Sequence, residues 1–168
     1  MTGVFTNNWA GLKNSMILGG VSQSGQATVY NVSGALVRAT SCVSPVAAVA
    51  ASYTPGGTSN AVRFGTSDTA AAATDIDLGT AWSSGLTYVS VANGDLTWSS
   101  STASRTVTIV VQNTAAASVT IREFGIFCSS SSGAVLLYRG VLDTAVTVAQ
   151  YESASLTFTV SMTLSNPA

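Results

Sequence analysis

The segment SLTFTVSMTL, residues 155–164, decides the fold class of this chain. Its apolar and hydroxyl-bearing positions alternate strictly, with Leu156, Phe158, Val160, Met162 and Leu164 set against Thr157, Thr159, Ser161 and Thr163. A period of two residues places neighbouring side chains on opposite faces of a β-strand. The segment therefore predicts a strand with one face in the core and one face of threonine and serine.

The same period of two recurs along the chain from residue 26 onward. Short β-branched segments are separated by Gly, Asn and Ser, and they are ATVYNV, ALVRA, AVRFG, TYVSVA, DLTWS, RTVTIVVQ, SVTI, EFGIF, AVLLYRG and AVTVA. Many short strands at such spacing are typical of two-sheet proteins. We predict a mainly β fold, a single antiparallel β-sandwich or jelly-roll-like domain over residues 21–168.

The first 20 residues differ from the rest because their apolar residues recur at helical spacing. The stripe consists of Phe5, Trp9, Leu12 and Met16, and two glycines at 19–20 follow it. We predict a short N-terminal helix over about residues 7–18 and assign residues 1–20 to a helical arm or anchor. The stripe either packs on the domain's own sheet or docks on a partner subunit. In the second case these four residues are the candidate assembly contacts.

The dipeptide Asn93-Gly94 predicts a tight hairpin over residues 88–99, because both of its residues tolerate the positive φ of a type I′ turn. Counting outward from the turn, the predicted pairs on one face are Val91 with Leu96 and Val89 with Trp98. The alternation on both sides of the turn agrees with this register.

The composition favours a protein that packs against neighbours. Of the 168 residues 46% are hydrophobic and only 8% are charged, with a net charge of -1. A neutral surface of Ser, Thr and Ala has little electrostatic self-repulsion, so we predict a homo-oligomer. A single lysine and scattered arginines form no stripe that could neutralise phosphates, so we predict no nucleic-acid partner.

No stretch of the sequence predicts membrane insertion or secretion. The longest nearly apolar run, residues 46–51, is far shorter than the roughly 20 residues of a membrane helix. The opening MTGVFTNNWAGLKNSMILGG lacks the basic start and the apolar run of a secretory signal. We therefore expect the chain to fold in the cytoplasm, with no membrane partner.

The residue types that carry most catalysis are scarce. The chain has no histidine, which removes the commonest general base and the commonest metal ligand. Glu123 and Glu152 are its only glutamates, and neither lies near an obvious carboxylate partner for glycosidase chemistry. We predict no enzymatic activity, no catalytic residue and no cofactor.

Asp68, Asp75 and Asp77 form the one acidic concentration, in the run GTSDTAAAATDIDLG. A calcium loop requires closely alternating oxygen ligands, and the alanines between Asp68 and Asp75 break that pattern. We predict that these aspartates cap turns or face solvent, and that the chain binds no metal.

Cys42 and Cys128 lie far apart in the sequence and belong to no redox or zinc motif. Free cysteine behaves as a small core residue, and cytosolic proteins seldom form disulfides. We favour two buried thiols over a disulfide bond.

Glu123 is one of few charges and lies in a predicted strand just before Gly125. The structural interpretation is an ion pair with Arg139 or Arg63 on a neighbouring strand, worth about 0.2 to 1 kcal/mol if exposed. The functional alternative is a contact with the next subunit.

Four aromatic residues could form a platform for sugars, namely Tyr53, Trp82, Tyr88 and Trp98. Packing in the core or at an interface is the more common role of such residues, and we favour it.

Four blocks of the sequence resemble a family of small virion-associated proteins of tailed bacteriophages. The blocks are VRFGTSDTAAAATDIDLGT (62–80), TVTIVVQNTAAASVTIREFGIF (106–127), VLLYRGVLDTAVTVA (135–149) and SLTFTVSMTL (155–164). The opening FTNNWAGLKNSMI is similar to that family as well, whereas residues 35–52 match no block. The resemblance implies a β-sandwich that is built in the host cytoplasm and is present in symmetric copies in the virion. It supplies no catalytic residues.

The resemblance and the neutral surface together predict a structural component of a tailed-phage virion. Such a component is a capsid decoration, a fibre-base protein, or a tail or baseplate accessory subunit. Its expected partners are other virion proteins of the capsid, the portal or neck, or the tail. The alternative is a carbohydrate-binding or adhesive β-sandwich module, which a glycan array on the isolated protein would reveal.

Overall fold

The computed structural model describes residues 2–9, 27–39, 49–50, 60–82, 84–130 and 133–163. These residues form eleven β-strands. They are β1 (Thr2–Phe5), β2 (Ala27–Tyr30), β3 (Leu36–Ala39), β4 (Val49–Ala50), β5 (Asn60–Gly65), β6 (Leu86–Asn93), β7 (Thr97–Ser99), β8 (Thr102–Asn113), β9 (Val119–Ser130), β10 (Gly133–Val148) and β11 (Ser153–Thr163).

The longer strands form two sheets. The first sheet has the order β1-β10-β9-β5-β4, and the second has the order β11-β8-β6 with β7 also paired to β8. β2 and β3 form a separate hairpin. Paired strands are antiparallel except β4 and β5, which pair in parallel. The predicted mainly β, sandwich-like fold is confirmed, with this one parallel pair as an addition.

Apolar residues of the two sheets meet in one core. Phe124 of β9 lies against Phe158 of β11, with 4.2 Å between the ring centroids. Phe64 of β5 stacks on Tyr88 of β6 at 6.0 Å. Further buried members are Val62, Val107, Ile109, Val111, Ile121, Ile126, Leu156 and Val160. The alternation that predicts β11 is confirmed over residues 155–163, because Leu156, Phe158 and Val160 are buried in this core and the threonines are exposed, while Leu164 lies outside the described residues.

Segments that the sequence predicts as separate strands are joined in the first sheet. SVTI and EFGIF belong to β9, and AVLLYRG and AVTVA belong to β10. The register between β9 and β10 shifts between Leu136 and Tyr138 and again between Val141 and Val146. Such irregularities let a strand continue past a change in its alternation, so a break in the pattern did not mark a strand end.

The predicted hairpin at residues 93–94 is wrong. β6 and β7 both pair with β8 and follow one another along the same edge of it. Val91 pairs with Ile109 rather than with Leu96. The chain reverses instead near Ser100, whose φ is +53°. The long partner strand β8 outweighs the local turn preference, because strand formation depends on the neighbours available for packing.

The N-terminal segment begins as a strand of the first sheet. β1 pairs with β10 over its full length. Residues 7–9 are helical, which is the described part of the helix predicted over residues 7–18. Residues 10–26 lie outside the described residues, and the domain boundary at residue 20 stays a prediction.

Candidate functional site

The outer face of the second sheet is a surface without charge. Its strands contain one charged residue, Arg105, which lies on the core-facing side of β8 together with Ala103 and Val107. Apart from Val110 and Gln112 at one end of β8, the outward positions carry hydroxyl groups, and nine of them are Thr102, Ser104, Thr106 and Thr108 on β8 and Ser155, Thr157, Thr159, Ser161 and Thr163 on β11. We call these nine residues the threonine face.

Hydroxyl pairs join β8 and β11 across the threonine face. The Oγ1–Oγ1 distances are 3.0 Å for Thr108 and Thr157, 3.3 Å for Thr106 and Thr159, and 3.0 Å for Thr102 and Thr163. Each cross-strand pair of this kind contributes about 0.2 to 1 kcal/mol to the sheet. Each of these hydroxyl pairs favours a threonine rotamer that brings the two oxygens together.

A second cluster is charged and buried on the outer side of the first sheet, beneath the loop that follows β5. Glu123 of β9 has no exposed surface, and its Oε2 accepts a bond from Nε of Arg139 at 2.8 Å. Backbone N–H groups of Ser67, Gly79 and Thr80 donate to the same carboxylate at 3.2, 3.0 and 2.9 Å. The predicted pairing of Glu123 with Arg139 is confirmed, but the pair is buried rather than exposed.

The hydrogen bonds around Glu123 indicate that its carboxylate stabilises the fold. Two carboxylate oxygens offer about four acceptor sites, and four donors occupy them. The predicted alternative, a contact with the next subunit, is wrong because Glu123 has no exposed surface. Arg63, the other predicted partner, lies with its Cζ 5.3 Å from the ring centroid of Phe127.

Arg139 extends this network to the loop of residues 66–80. Its Nη1 donates to Oδ2 of Asp75 at 2.8 Å, and its Nη2 donates to the carbonyl oxygen of Thr69 at 3.1 Å. Burial opposes the charged form, but the hydrogen bonds and charges of Asp75 and Glu123 outweigh it and raise the pKa of Arg139 above its usual value. We call Glu123, Arg139 and Asp75 the buried charge cluster.

The three aspartates of this loop do not converge on a cation. Asp75 belongs to the buried charge cluster, and Asp68 is exposed. Asp77 accepts the N–H of Leu78 at 2.8 Å; burial raises the pKa of Asp77, and that bond and Arg63 offset the rise only in part. In the part of the chain that the structure describes, no group of three or more His, Cys, Asp or Glu side chains could hold a metal ion.

The aromatic residues considered as a sugar platform are not gathered on one surface. Tyr88 faces the core, and its hydroxyl donates to the carbonyl oxygen of Val62 at 2.5 Å. Trp82 is half-buried against the core, whereas Trp98 is 61% exposed. Tyr53 lies outside the described residues. The platform interpretation is therefore wrong for Tyr88 and Trp82.

Two of the four candidate assembly contacts pack within the chain. The Phe5 ring lies 5.0 Å from the Tyr138 ring and 6.4 Å from the Trp9 ring, centroid to centroid. Trp9 is only 7% exposed and lies in a buried apolar cluster with residues of β9 and β10. For Phe5 and Trp9 the structure thus shows packing on the domain's own sheet. Leu12 and Met16 lie outside the described residues, and their role in assembly stays a prediction.

Cys128 lies buried on β9 and is disulfide-bonded. The expectation of a buried thiol is therefore wrong for Cys128. Cys42 lies outside the described residues. A disulfide requires two Cβ atoms about 3.5 to 4.5 Å apart, and the spacing of two distant cysteines carries no information on that distance.

No sequence pattern predicted that the loop of residues 66–80 is fixed by hydrogen bonds from its backbone to Glu123. Its N–H donors lie 43 to 56 positions from the carboxylate that they bind. Glycines carry a signal in retrospect: a Cβ at Gly65 would collide with Glu123, and a Cβ at Gly79 would lie 2.9 Å from Arg139. Because Gly65 and Gly79 have no Cβ, the two ends of the acidic run can pack closely against the buried side chains of Glu123 and Arg139.

Comparisons of the chain with protein-family models, with curated proteins and with solved structures gave no match. Within the described ranges, no helix has the length and apolar character needed to cross a membrane. The features of the described residues that bear on function are the threonine face, the buried charge cluster and the exposed aromatic side chains.

Proposed function

We propose that this chain is a structural subunit of a tailed-phage virion, a capsid decoration, fibre-base, or tail or baseplate accessory protein. The observation that carries the proposal is the threonine face. An ordered hydroxyl surface without ions can be covered by another protein without burying a charge and without like-charge repulsion. The resemblance of four sequence blocks to virion-associated proteins supplies the setting in which such packing occurs.

The buried charge cluster supports a role that depends on a fixed shape. Glu123 and Arg139 tie the loop of residues 66–80 to β9 and β10 through side-chain and backbone hydrogen bonds. Loops without such bonds are commonly the mobile parts of a domain. A subunit of a symmetric particle must present the same surface in every copy. The hydrogen bonds of this network fix the conformation of the loop of residues 66–80, which favours such a uniform surface.

The state of the carboxylates supports a non-enzymatic role. Glu123 is saturated by four donors, and Asp75 is engaged by Arg139. Glu152 is exposed in the turn that precedes β11. General acid–base catalysis requires a carboxyl group that can reach a substrate and exchange a proton, and neither Glu123 nor Asp75 is placed to do so.

Locating the chain in an intact particle tests the proposal. Particles purified from a phage that encodes the chain are analysed by mass spectrometry and by electron microscopy. We expect a fixed copy number per particle and density for the two-sheet fold at symmetry-related positions. A chain that is abundant in the lysate but absent from purified particles would overturn the virion assignment.

Sugar binding is the second candidate, and the exposed Trp98 is the observation that favours it. An exposed indole can stack on a sugar ring, and the side chain of Leu96 is exposed as well. A glycan array with the wild-type protein, Trp98→Ala and the control Tyr151→Ala separates the candidates. A signal lost only in Trp98→Ala would favour an adhesive module over a packing subunit.

A further inference from the structure

Among the strands that the structure describes, the two sheets have four edges. One edge of the first sheet is β1, which has four residues and is short, and at the other edge β4 is described over Val49–Ala50. The edge of the second sheet opposite β11 is interrupted, because the register of β6 on β8 shifts between Tyr88 and Ser90 and because Asp95 lies between β6 and β7. Short strands, irregularities and charges are the usual means by which sheet edges avoid unwanted partners.

β11 has none of these features. It pairs with β8 through eleven consecutive residues without a register shift, and among the described strands nothing pairs with its other side. Its sequence SASLTFTVSMT contains no charge, no proline and no glycine. A long, straight, uncharged edge strand is a template for a further strand. Among the described strands, β11 is thus the edge best suited to accept a partner strand.

We propose that β11 pairs antiparallel with β11 of a second copy of this chain, about a two-fold axis through Phe158. This inference deepens the proposed structural function and rests on it. With Phe158 opposite Phe158 of the second copy, Thr157 lies opposite Thr159 and Leu156 opposite Val160. The strand pair then begins with Ser153 opposite Thr163 of the second copy and ends with Thr163 opposite Ser153 of the second copy. All eleven residues of β11 take part.

The strand is self-complementary in this register, which is the reason for choosing a second copy as the partner. Every threonine or serine meets a threonine or serine, and every core-facing position meets another core-facing position. The hydroxyl pairs that already join β8 to β11 would thus continue from one copy into the next. Because β11 has no charge, the symmetric pairing also places no like charges together.

Two double lysine variants distinguish association through the β11 edge from association through the remainder of the threonine face. In Thr157→Lys/Thr159→Lys, lysines of the two copies stand directly opposite one another, which destabilises a strand pair. The control Thr106→Lys/Thr108→Lys puts the same charges on the same face, one strand further in. Its lysines are separated from their symmetry mates by three strand spacings of about 4.8 Å, beyond the Debye length of about 10 Å at 0.1 M salt.

Sedimentation equilibrium of the full chain gives the association constant, and circular dichroism melts confirm that each variant is folded. We expect wild-type protein to associate, the edge variant to associate about tenfold more weakly or worse, and the β8 variant to match wild type. A monomeric wild type overturns the inference, as does an edge variant that associates normally. Equal weakening by both variants would instead indicate face-to-face stacking of the threonine face.

Cysteine cross-linking tests the register itself and serves if the lysine variant does not fold. Directly opposite residues in an antiparallel pair have Cα atoms about 4.5 to 5.5 Å apart, within the range that a disulfide spans. Thr157→Cys and Thr159→Cys chains, mixed and allowed to exchange, should form a cross-linked dimer on oxidation. The mixture of Thr157→Cys with Thr163→Cys should not. Equal cross-linking in both mixtures overturns the register.

The outcomes separate this inference from the proposed function. If purified virions contain the chain but the edge variant incorporates and associates like wild type, the strand pairing is wrong and the virion role stands. If the strands pair in solution but no particle contains the chain, the virion role is wrong and the pairing stands.

Discussion

Glu123 and Arg139 form an ion pair at 2.8 Å in which neither side chain is more than 3% exposed. The pair lies between β9, β10 and the loop of residues 66–80, and backbone N–H groups complete the shell of the carboxylate. Breaking a buried pair leaves an uncompensated charge, and it is costlier than breaking a surface pair.

Glu123→Ala is therefore expected to lower the free energy of unfolding by about 3 to 5 kcal/mol. The variant removes the acceptor of three backbone N–H groups and leaves Arg139 without its carboxylate partner on β9. Chemical denaturation monitored by circular dichroism measures the loss. The matched control is Asp68→Ala, since Asp68 and Arg122 form an exposed pair at 3.8 Å and its loss should cost at most about 1 kcal/mol. Equal costs for the two variants would contradict the structural role of Glu123.

Gly65→Ala is expected to destabilise the fold by about 1 to 3 kcal/mol through overpacking. A Cβ at this position would collide with the carboxylate of Glu123 and with the carbonyl of Thr80, which are both held in place. Gly94→Ala is a milder comparison, because its Cβ would lie 3.2 Å from the carbonyl oxygen of Thr106. The melting temperatures of both variants provide the measurement, and a Gly65→Ala protein as stable as wild type would be inconsistent with the packing described.

Asp77→Asn is expected to raise stability at neutral pH. Burial raises the pKa of Asp77 above 3.8, so the folded state binds that proton more tightly than the unfolded state does. The ionisation of Asp77 therefore weakens the fold as pH rises through the raised pKa. The asparagine keeps an acceptor for the N–H of Leu78. We expect a melting temperature above wild type at pH 7, and a smaller difference below pH 3.8.

Asp95→Asn, at an exposed aspartate between β6 and β7, is the control for this experiment. A gain for Asp77→Asn that is equal at both pH values would show that ionisation is not its cause.

Tyr88 is expected to ionise well above the usual pH of a tyrosine in an alkaline titration. Burial raises the pKa of Tyr88 to about 12, against a nearby Arg63 that acts in the opposite direction. The rise in ultraviolet absorbance that accompanies tyrosine ionisation should include a step at high pH, and this step should be missing in Tyr88→Phe. The same variant loses the bond to the carbonyl of Val62 and should be about 1 kcal/mol less stable. If the high-pH step persisted unchanged in Tyr88→Phe, it would belong to another tyrosine.

Elements with a strong local pattern were predictable from the sequence. β11 was predicted because its alternation specifies which side is buried, whatever strand lies beside it. The pairing of Glu123 with Arg139 was also within reach, since so few charges leave few partners for a carboxylate in a strand.

Features that depend on distant contacts were not predictable. The 93–94 dipeptide has the local chemistry of a turn, but β8 supplies a longer partner for β6 than a hairpin would. β1 was not predicted because four residues carry too little pattern, and pairing with β10 stabilises them as a strand. The hydrogen bonds from the loop of residues 66–80 to Glu123 depend on three-dimensional proximity between residues far apart in sequence, and the disulfide bond of Cys128 likewise has no local sequence signal.

The uncharged threonine face determines how contacts made through it would respond to the surrounding medium. Dissolved salt weakens attraction between exposed ions by screening, but it has nothing to screen where neither side carries an ion. Contacts built on the nine hydroxyl residues of this face would keep their strength from dilute to concentrated electrolyte. Strongly excluded salts such as sulfate would tighten them, because such salts favour the burial of surface. Contacts made through this face would therefore depend on which salt is present more than on how much ionic screening it provides.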